Sequence, residues 1–453
     1  MFVDNLFSKI NVSKSHRYLY LTPHVYAVGN CSSEILCGII AAKSRGKRLV
    51  ILYPYDIPFI FHWNLTNKEL FLLESKYIAK QSKYVRPIIR LLVTIVYIPI
   101  RVYGLIVRNY FGKSIDESIS IPRIGELEIF APVHGEEKYD YSLLERYVLD
   151  WWAEDKRKDI DIRLPLKSEL DSINILKKTL GMDESDWYVC LHVRESGFRN
   201  DKGRRDYRNS NVNNYIKAIQ EITSRGGWVV RLGDDTMLRL PEMKRVIDYP
   251  FTGYKTDLND LLLIKYCFFF IGTQSGILDV ANLFSKNVLI TNMAVWGPPS
   301  GLYGTSRGIL KHRYSKKEKK YISLESLFKN GEGFISDEST IGMELKEIYS
   351  NEIDYILIEN NEDEIKDAVI EYIGVLDSND YSPSSLQSKY SMYRNKHVDN
   401  IIVEIEKHAY TYNSGKRRLL NNYYFSIWTE ITNGLISNCF LSKNWKYNTR
   451  NDD

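Results

Sequence analysis

The sequence is short of the features that announce several large classes of protein. Cysteine occurs five times in 453 residues (Cys31, Cys37, Cys190, Cys267, Cys439), with no C-x-x-C pair. That odd count argues against a disulfide framework and a zinc ribbon, and fits a reducing cytosol. Net charge is scarce: 61 Lys and Arg against 57 Asp and Glu leave +4, too balanced for a dedicated nucleic-acid binder, so any anionic partner has to be met locally. Residues 1–16 carry Asp4, Lys9 and Lys14 and no apolar core of the kind a secretory signal needs, so export is not expected. No low-complexity tract and no internal repeat interrupts the chain. The eight histidines do not cluster at ligand spacing. No D-x-D follows a predicted strand in the second half; Asp159-Ile160-Asp161 matches the bare pattern but lies in a charged linker. No metal site is read from the sequence.

What is present is a chain 44% hydrophobic and 26% charged, long enough for two or three folded domains. Between Val25 and Tyr53, VYAVGN reads as a strand, SSEILCGIIAAKSRG as a helix closed by Gly46, and KRLVILY as a second strand. Ser32 and Ser33 are the expected helix caps and Gly29 the expected tight turn. The stretch PIIRLLVTIVYIPIRVYGLIVR is too apolar for an ordinary surface helix and too interrupted for a clean membrane span. At about 100° per residue, Arg86, Arg90, Arg101 and Arg108 fall within roughly 60° of one another. This predicts an in-plane helix over 85–108, its apolar side in an anionic membrane and its arginines at the headgroups. The alternative is a buried helix with one wet edge.

A second α/β pattern begins at WYVCLHV and continues through a helix capped by Asn211 or Asn213, the strand WVVRLGD, the helix DLNDLLLIKYC, the strand FFFIG, the helix ILDVANLF and the strand NVLITN. Apolar strands alternating with helices imply a parallel sheet covered on both faces. Beyond Lys320 the pattern turns more helical; after the strand-like YILIE, Asn361 to Glu364 has capping-box spacing.

Two segments concentrate chemistry. His192 to Asn209 holds six arginines or histidines (His192, Arg194, Arg199, Arg204, Arg205, Arg208) in a loop leaving a buried strand, with Asn200 and Asn209 beside them. Arginine offers a planar fork that grips phosphate oxygens and keeps its charge near neutral pH, so an anionic leaving group such as a nucleoside diphosphate fits the loop. The bland alternative is a solvated loop whose arginines are neutralised by Glu195, Asp201 and Asp206. Gly272-Thr273-Gln274-Ser275-Gly276 joins a strand to a helix; its small residues let backbone N–H groups approach an anion, and Thr273 and Ser275 can donate hydroxyl bonds. The basic run Arg307 to Lys320 adds Lys311 and Arg313 as further cations, or is a solvated loop.

LHVRESGFRND, the following YRN, YIKAIQEITSRGGWVVRLGD, FFFIGTQSG and the late ISNCFLSKN together resemble a family of glycosyltransferases from bacterial surface-polysaccharide loci. The H-V-R element is also similar to the donor-site signature of fucosyltransferases. The resemblance implies an α/β GT-B-like fold, two Rossmann-like domains facing a cleft with a helical C-terminal extension. It divides the chain into an acceptor-side domain over 1–165, a donor domain over 175–330 and an extension over 331–453 packing across both. It implies transfer of a sugar from a nucleotide-sugar donor to a lipid-linked or surface-polysaccharide acceptor, without metal or resident cofactor, by an enzyme peripheral to the cytoplasmic face of the cell membrane, with other polysaccharide-assembly enzymes as further partners. The donor would be held by Arg194, Arg199, Asn200, Arg208, Asn209 and residues 272–276. Arg194, His192 and Glu34 would take part in catalysis, Glu34 (or Asp56) as the base. Asn30 stands where this family tends to carry a histidine. Same-fold alternatives are a nucleotide-sugar epimerase or a polysaccharide pyruvyl transferase; outside the enzymes, the alternative is a membrane-surface scaffold.

Overall fold

The computed structural model describes most residues of 17–55, 65–98, 160–195, 206–294, 305–329, 355–396 and 434–446. The chain divides into two compact units, 1–169 and 170–453.

In the first unit, β1 (Tyr18–Leu21) and β2 (Arg48–Ile51) pair in parallel from Tyr18↔Arg48 to Leu21↔Ile51, joined by helix α1 (Val28–Ser44). The β-α-β reading holds, but its first strand is YLYL and not VYAVGN. Leu19 and Leu21 alternate inward in the two-residue period of a half-buried strand. Val28 and Gly29 already belong to the helix, and the Ser32 hydroxyl donates back to the Val28 carbonyl at 2.7 Å, as a hydroxyl within a helix does and a cap does not. Gly46, at φ +63°, closes the helix as expected, since a left-handed residue there costs glycine nothing.

A helical segment over 85–95 is fastened to the residues after β2. The Tyr55 N–H donates to Thr94 Oγ1 at 2.7 Å and Arg90 Nη2 to the Pro54 carbonyl at 3.1 Å. The Arg90 guanidinium lies over both Tyr53 (4.4 Å) and Tyr55 (4.1 Å), and Val93 packs with Val50 and Leu52.

The second unit is built on seven parallel strands in the order β12-β8-β7-β6-β3-β4-β5. These are β3 (Tyr188–His192), β4 (Trp228–Arg231), β5 (Val246–Asp248), β6 (Phe270–Gly272), β7 (Val288–Met293), β8 (Arg307–Leu310) and β12 (Leu435–Ile436). β3 and β7 are buried at every residue, which is why they read as mostly apolar runs without the alternation of a half-buried strand. The helices between them are α2 (Glu169–Thr179, preceding β3), α3 (Ile216–Ser224), α4 (Asp257–Tyr266) and α5 (Gly276–Leu283). From β3 the chain winds outward through β4 and β5, then returns to set β6 against the opposite side of β3 and winds the other way through β7 and β8. The order therefore reverses between β3 and β6. This is the doubly wound, Rossmann-like arrangement, and its ligand crevice is expected at the carboxyl ends of those two strands.

A small antiparallel sheet, β10 (Lys320–Tyr321), β9 (His312–Ser315) and β11 (Tyr355–Ile358), and helix α6 (Leu324–Lys329) follow. Helix α7 (Glu362–Ser378) opens with the expected capping box: Asn361 accepts from the Asp363 and Glu364 N–H groups while Glu364 accepts from the Asn361 N–H. The C-terminal stretch contributes strand as well as helix, since β12 lies at the sheet's edge beside β8 before α8 (Asn438–Asn444). Two buried residues are too few to carry a readable period. Among the described residues no helix is long and apolar enough to cross a membrane.

Candidate functional site

The two chemistry-bearing segments leave the two strands that flank the reversal. β3 ends at His192 and β6 at Gly272, and these two residues are register partners. A Cβ on Gly272 would lie 2.2 Å from the His192 carbonyl oxygen, so only glycine lets the strands close here. Beyond the strands the loops are stitched together. The Thr273 N–H donates to the His192 carbonyl (3.1 Å), the Arg194 N–H donates to Thr273 Oγ1 (2.9 Å), and Ser275 Oγ lies 3.0 Å from His192 Nδ1. Ser275 is the N-cap of α5, yet its side chain makes no cap bond because it is engaged with His192. The first turn of an eight-residue helix thus starts at the crevice without a side-chain cap, and its N–H groups carry the partial positive charge of a helix start.

His192 is 6% exposed. Burial, and next the Arg231 charge, push its pKa down to about 3, so the imidazole is neutral across the physiological range. Arg194 is half-buried; its Nη1 donates to Asn209 Oδ1, and the Ser210 N–H returns to the Arg194 carbonyl at 3.0 Å. The Asn209 carbonyl accepts from Lys311 Nζ at 2.7 Å, so one asparagine holds two cations at once. Lys311 is buried, and that burial lowers its pKa; the nearby Arg194 charge adds to the lowering and the Glu359 carboxylate opposes it.

Among the described residues, Glu195 turns to a buried arginine of β4. It accepts from Arg231 Nη2 at 2.8 Å and from the Leu238 N–H at 2.9 Å. Arg231, fully buried, also reaches Asp248 Oδ1 at 3.0 Å. This ion triad fixes the chain where it leaves β3, one residue after Arg194. An arginine inside the apolar strand WVVR was the available signal, because a buried guanidinium requires acidic partners.

Behind the site lies a polar network that the sequence did not disclose. Asn292, at φ +52°, marks the irregularity in the β7–β8 register, and it exchanges bonds with Asn360: its N–H donates to Asn360 Oδ1 (2.8 Å) and its Oδ1 accepts from the Asn360 N–H (2.6 Å). Tyr215, its hydroxyl pushed up to about 12 by burial, meets Thr291 Oγ1 at 2.6 Å, and Thr291 donates to the Gly272 carbonyl at 3.3 Å. The trace of this network in the sequence is the polar Thr-Asn pair ending NVLITN.

Of the other residues expected at the site, Thr273 is wholly buried, and Gln274, also buried, accepts from the Ala294 N–H at 3.0 Å. In the structure both hold the loops together, and the Ser275 and Thr273 hydroxyls are directed to the H-V-R strand where donation to a ligand was expected. Arg208 lies in a 3-10 turn (Asp206–Arg208) with its guanidinium 5.6 Å from the Tyr207 ring. Arg199 and Asn200 fall outside the described residues, as do Asp56, Arg101 and Arg108. Glu34 is buried in the second turn of α1, inside the helix. Arg86 is half-buried and Arg90 is clamped between Tyr53 and Tyr55. A cavity of about 760 Å³ lies elsewhere in the second unit, lined by Arg307, Asp367, Glu371, Gln387 and Cys439 among others; none of the residues at the β3–β6 crevice lines it.

The sequence matches no protein-family model and no curated protein. Among solved structures it is similar to the dodecameric iron-containing heptosyltransferase TibC in complex with ADP-D-β-D-heptose, at 22% identity and TM-score 0.19, over 26% of this chain and 30% of that one. It is also similar to the bacterial iron-containing dodecameric glycosyltransferase TibC from enterotoxigenic E. coli, at 15% identity and TM-score 0.24, over 43% of this chain and 46% of that one. The chain spans less than half the length of either, and likenesses this slight carry no functional inference.

Proposed function

We propose that the protein is a metal-independent glycosyltransferase. In this reading it takes a sugar from a nucleotide-sugar donor and passes it to a lipid-linked or surface-polysaccharide acceptor at the cytoplasmic face of the cell membrane. One observation carries the donor half: among the described strands the order of the seven-stranded sheet reverses between β3 and β6, and the segments that follow these strands supply Arg194 and the uncapped start of α5. Lys311 stands one residue away, through Asn209.

Glycosyl transfer breaks the bond between the anomeric carbon and the diphosphate while the acceptor oxygen forms a new one and loses its proton. Negative charge therefore grows on the departing diphosphate as the sugar becomes oxocarbenium-like. Arg194 answers that charge with a guanidinium that stays protonated, and the helix start adds backbone donors already oriented before the reaction. Neutral His192 shapes the site without competing for the anion.

The test joins binding to turnover. Thermal shift across UDP, GDP, CMP and dTDP should single out one nucleotide, and Arg194→Ala should bind it less well. With a lipid-linked acceptor, single-turnover release of nucleoside diphosphate should fall by roughly 30- to 1,000-fold in that variant, the loss of about 2 to 4 kcal/mol of charge-assisted stabilisation. Near-wild-type turnover by Arg194→Ala would remove the assignment.

A further inference from the structure

The helical segment over 85–95 is inverted relative to an ordinary surface helix. Its inner side carries Arg90 and Thr94, held by Pro54, Tyr53 and Tyr55, together with Ile89 and Val93. Its outer side carries Tyr84, Val85, Ile88, Leu91, Leu92 and Ile95, exposed from 48% to 73%. At about 100° per residue these six lie within about 120° of arc, and Arg86 and Arg90 fall on the opposite side. Among the described residues, fifteen large apolar side chains are exposed, and six of them lie within residues 84–95. A contiguous apolar face of this kind marks a surface that is covered when the protein works.

Charge identifies the cover. Between Glu74 and Asp116 the sequence has eight basic residues and no acidic one. Lys76, Lys80 and Lys83 are exposed just ahead of the apolar face, and Lys76 and Lys83 lie over the rings of Tyr77 (5.0 Å) and Tyr84 (5.2 Å). Aromatic rings and long cationic side chains beside an apolar helix face suit the boundary between hydrocarbon and headgroup.

We infer that this face docks the protein on an anionic bilayer, with Ile88, Leu91 and Leu92 in the acyl boundary and Lys76, Lys80 and Lys83 at the headgroups. This differs from the contact expected of the arginine stripe: Arg90 braces the helix from within, and the lysines meet the lipid. The inference deepens the membrane part of the proposed function and needs nothing of its donor chemistry.

Co-sedimentation of the full chain with phosphatidylcholine vesicles, with and without about 30% phosphatidylglycerol, tests it. The wild type should bind the anionic vesicles at least about 10-fold better than the neutral ones. The triple variant Ile88→Ser, Leu91→Ser, Leu92→Ser should lose about 10-fold or more in binding with its melting temperature unchanged. Lys76→Ala, Lys80→Ala, Lys83→Ala should abolish most of the salt dependence between about 0.1 and 0.5 M. Equal binding by the wild type and the serine variant overturns the inference. So does a wild-type dimer that the serine variant converts to monomer, which would assign the face to a second copy, or a lowered melting temperature, which would assign it to this chain's own packing. Nucleotide thermal shift, measured without lipid, reads the donor site separately, so either proposal can fail alone.

Discussion

The backbone N–H of Arg194 donates to the hydroxyl oxygen of Thr273 at 2.9 Å, across the boundary between β3 and β6. A residue offered by its sequence as a ligand contact is thus the acceptor that fixes the main chain of Arg194. Replacing Thr273 with Val removes the acceptor of the half-buried Arg194 N–H, which costs about 1 kcal/mol. Thr273→Ser keeps the acceptor and should recover most of that stability in urea denaturation. Donor affinity should follow the same order, wild type and Ser above Val. A Val variant as stable and as tight-binding as Ser would show that the bond positions nothing.

His192 makes stability depend on pH in a stated direction. Its pKa falls from 6.5 to about 3 on folding. Between those values the unfolded chain binds more protons than the folded one, so stability is full above about pH 6.5 and is lost as pH falls toward 3. At about 1.4 kcal/mol per unit, His192 alone should remove about 2 kcal/mol by pH 5. Protonation would make Nδ1 a donor in its contact with Ser275 Oγ. In His192→Asn, whose side-chain oxygen can accept that hydroxyl, the difference in denaturation free energy between about pH 7 and 5 should shrink by this amount. An unchanged slope assigns the acid sensitivity elsewhere.

Lys311 offers a test on the alkaline side. Its pKa is lowered chiefly by burial, so its charge should be lost at a pH where an exposed lysine keeps its own. Nucleoside diphosphate affinity should then weaken as pH rises through that depressed value. Lys311→Met should start about 10-fold weaker and lack this limb, while the Arg194-dependent part survives. The same alkaline limb in Lys311→Met would show that another group titrates there.

What could be read from the sequence was what depends on local pattern. The mostly apolar runs of β3 and β7, the helix through Ile219 and Ile222, the capping box at Asn361 and the strand–turn–helix around Gly272 each follow from spacing over a few residues. Strand order does not, because the pairing of His192 with Gly272 joins residues eighty positions apart, and this pairing is what makes two separate motifs one crevice. The Asn292–Asn360 exchange and the choice of Arg231 by Glu195 are hidden for the same reason. At the N-terminus the strand is the period-of-two YLYL, whereas the end of VYAVGN is helix because Val28 and Gly29 already belong to α1. In the 85–95 segment periodicity puts Arg86 and Arg90 on one side but leaves open which side turns inward; Tyr53 and Tyr55 decide that by taking Arg90 between them.

The start of α5 separates the proposed chemistry from that of a metal-dependent transferase. Thr273 and Ser275 both contact the H-V-R strand, so what the turn offers a phosphate is backbone N–H and the partial charge of the helix. Gly276 begins that helix, and a Val side chain there would crowd the backbone's approach to an anion, so Gly276→Val should abolish nucleotide binding in calorimetry. Ser275→Ala loses one hydroxyl bond to a neutral imidazole and should cost only about 1 kcal/mol. If Arg194 and this helix start carry the diphosphate charge, transfer should continue in excess EDTA at an undiminished rate, and added manganese should change nothing. Complete loss in EDTA with recovery on manganese would mean that a divalent ion carries the charge assigned to Arg194, and a Gly276→Val protein that still bound nucleotide would remove the helix from the site.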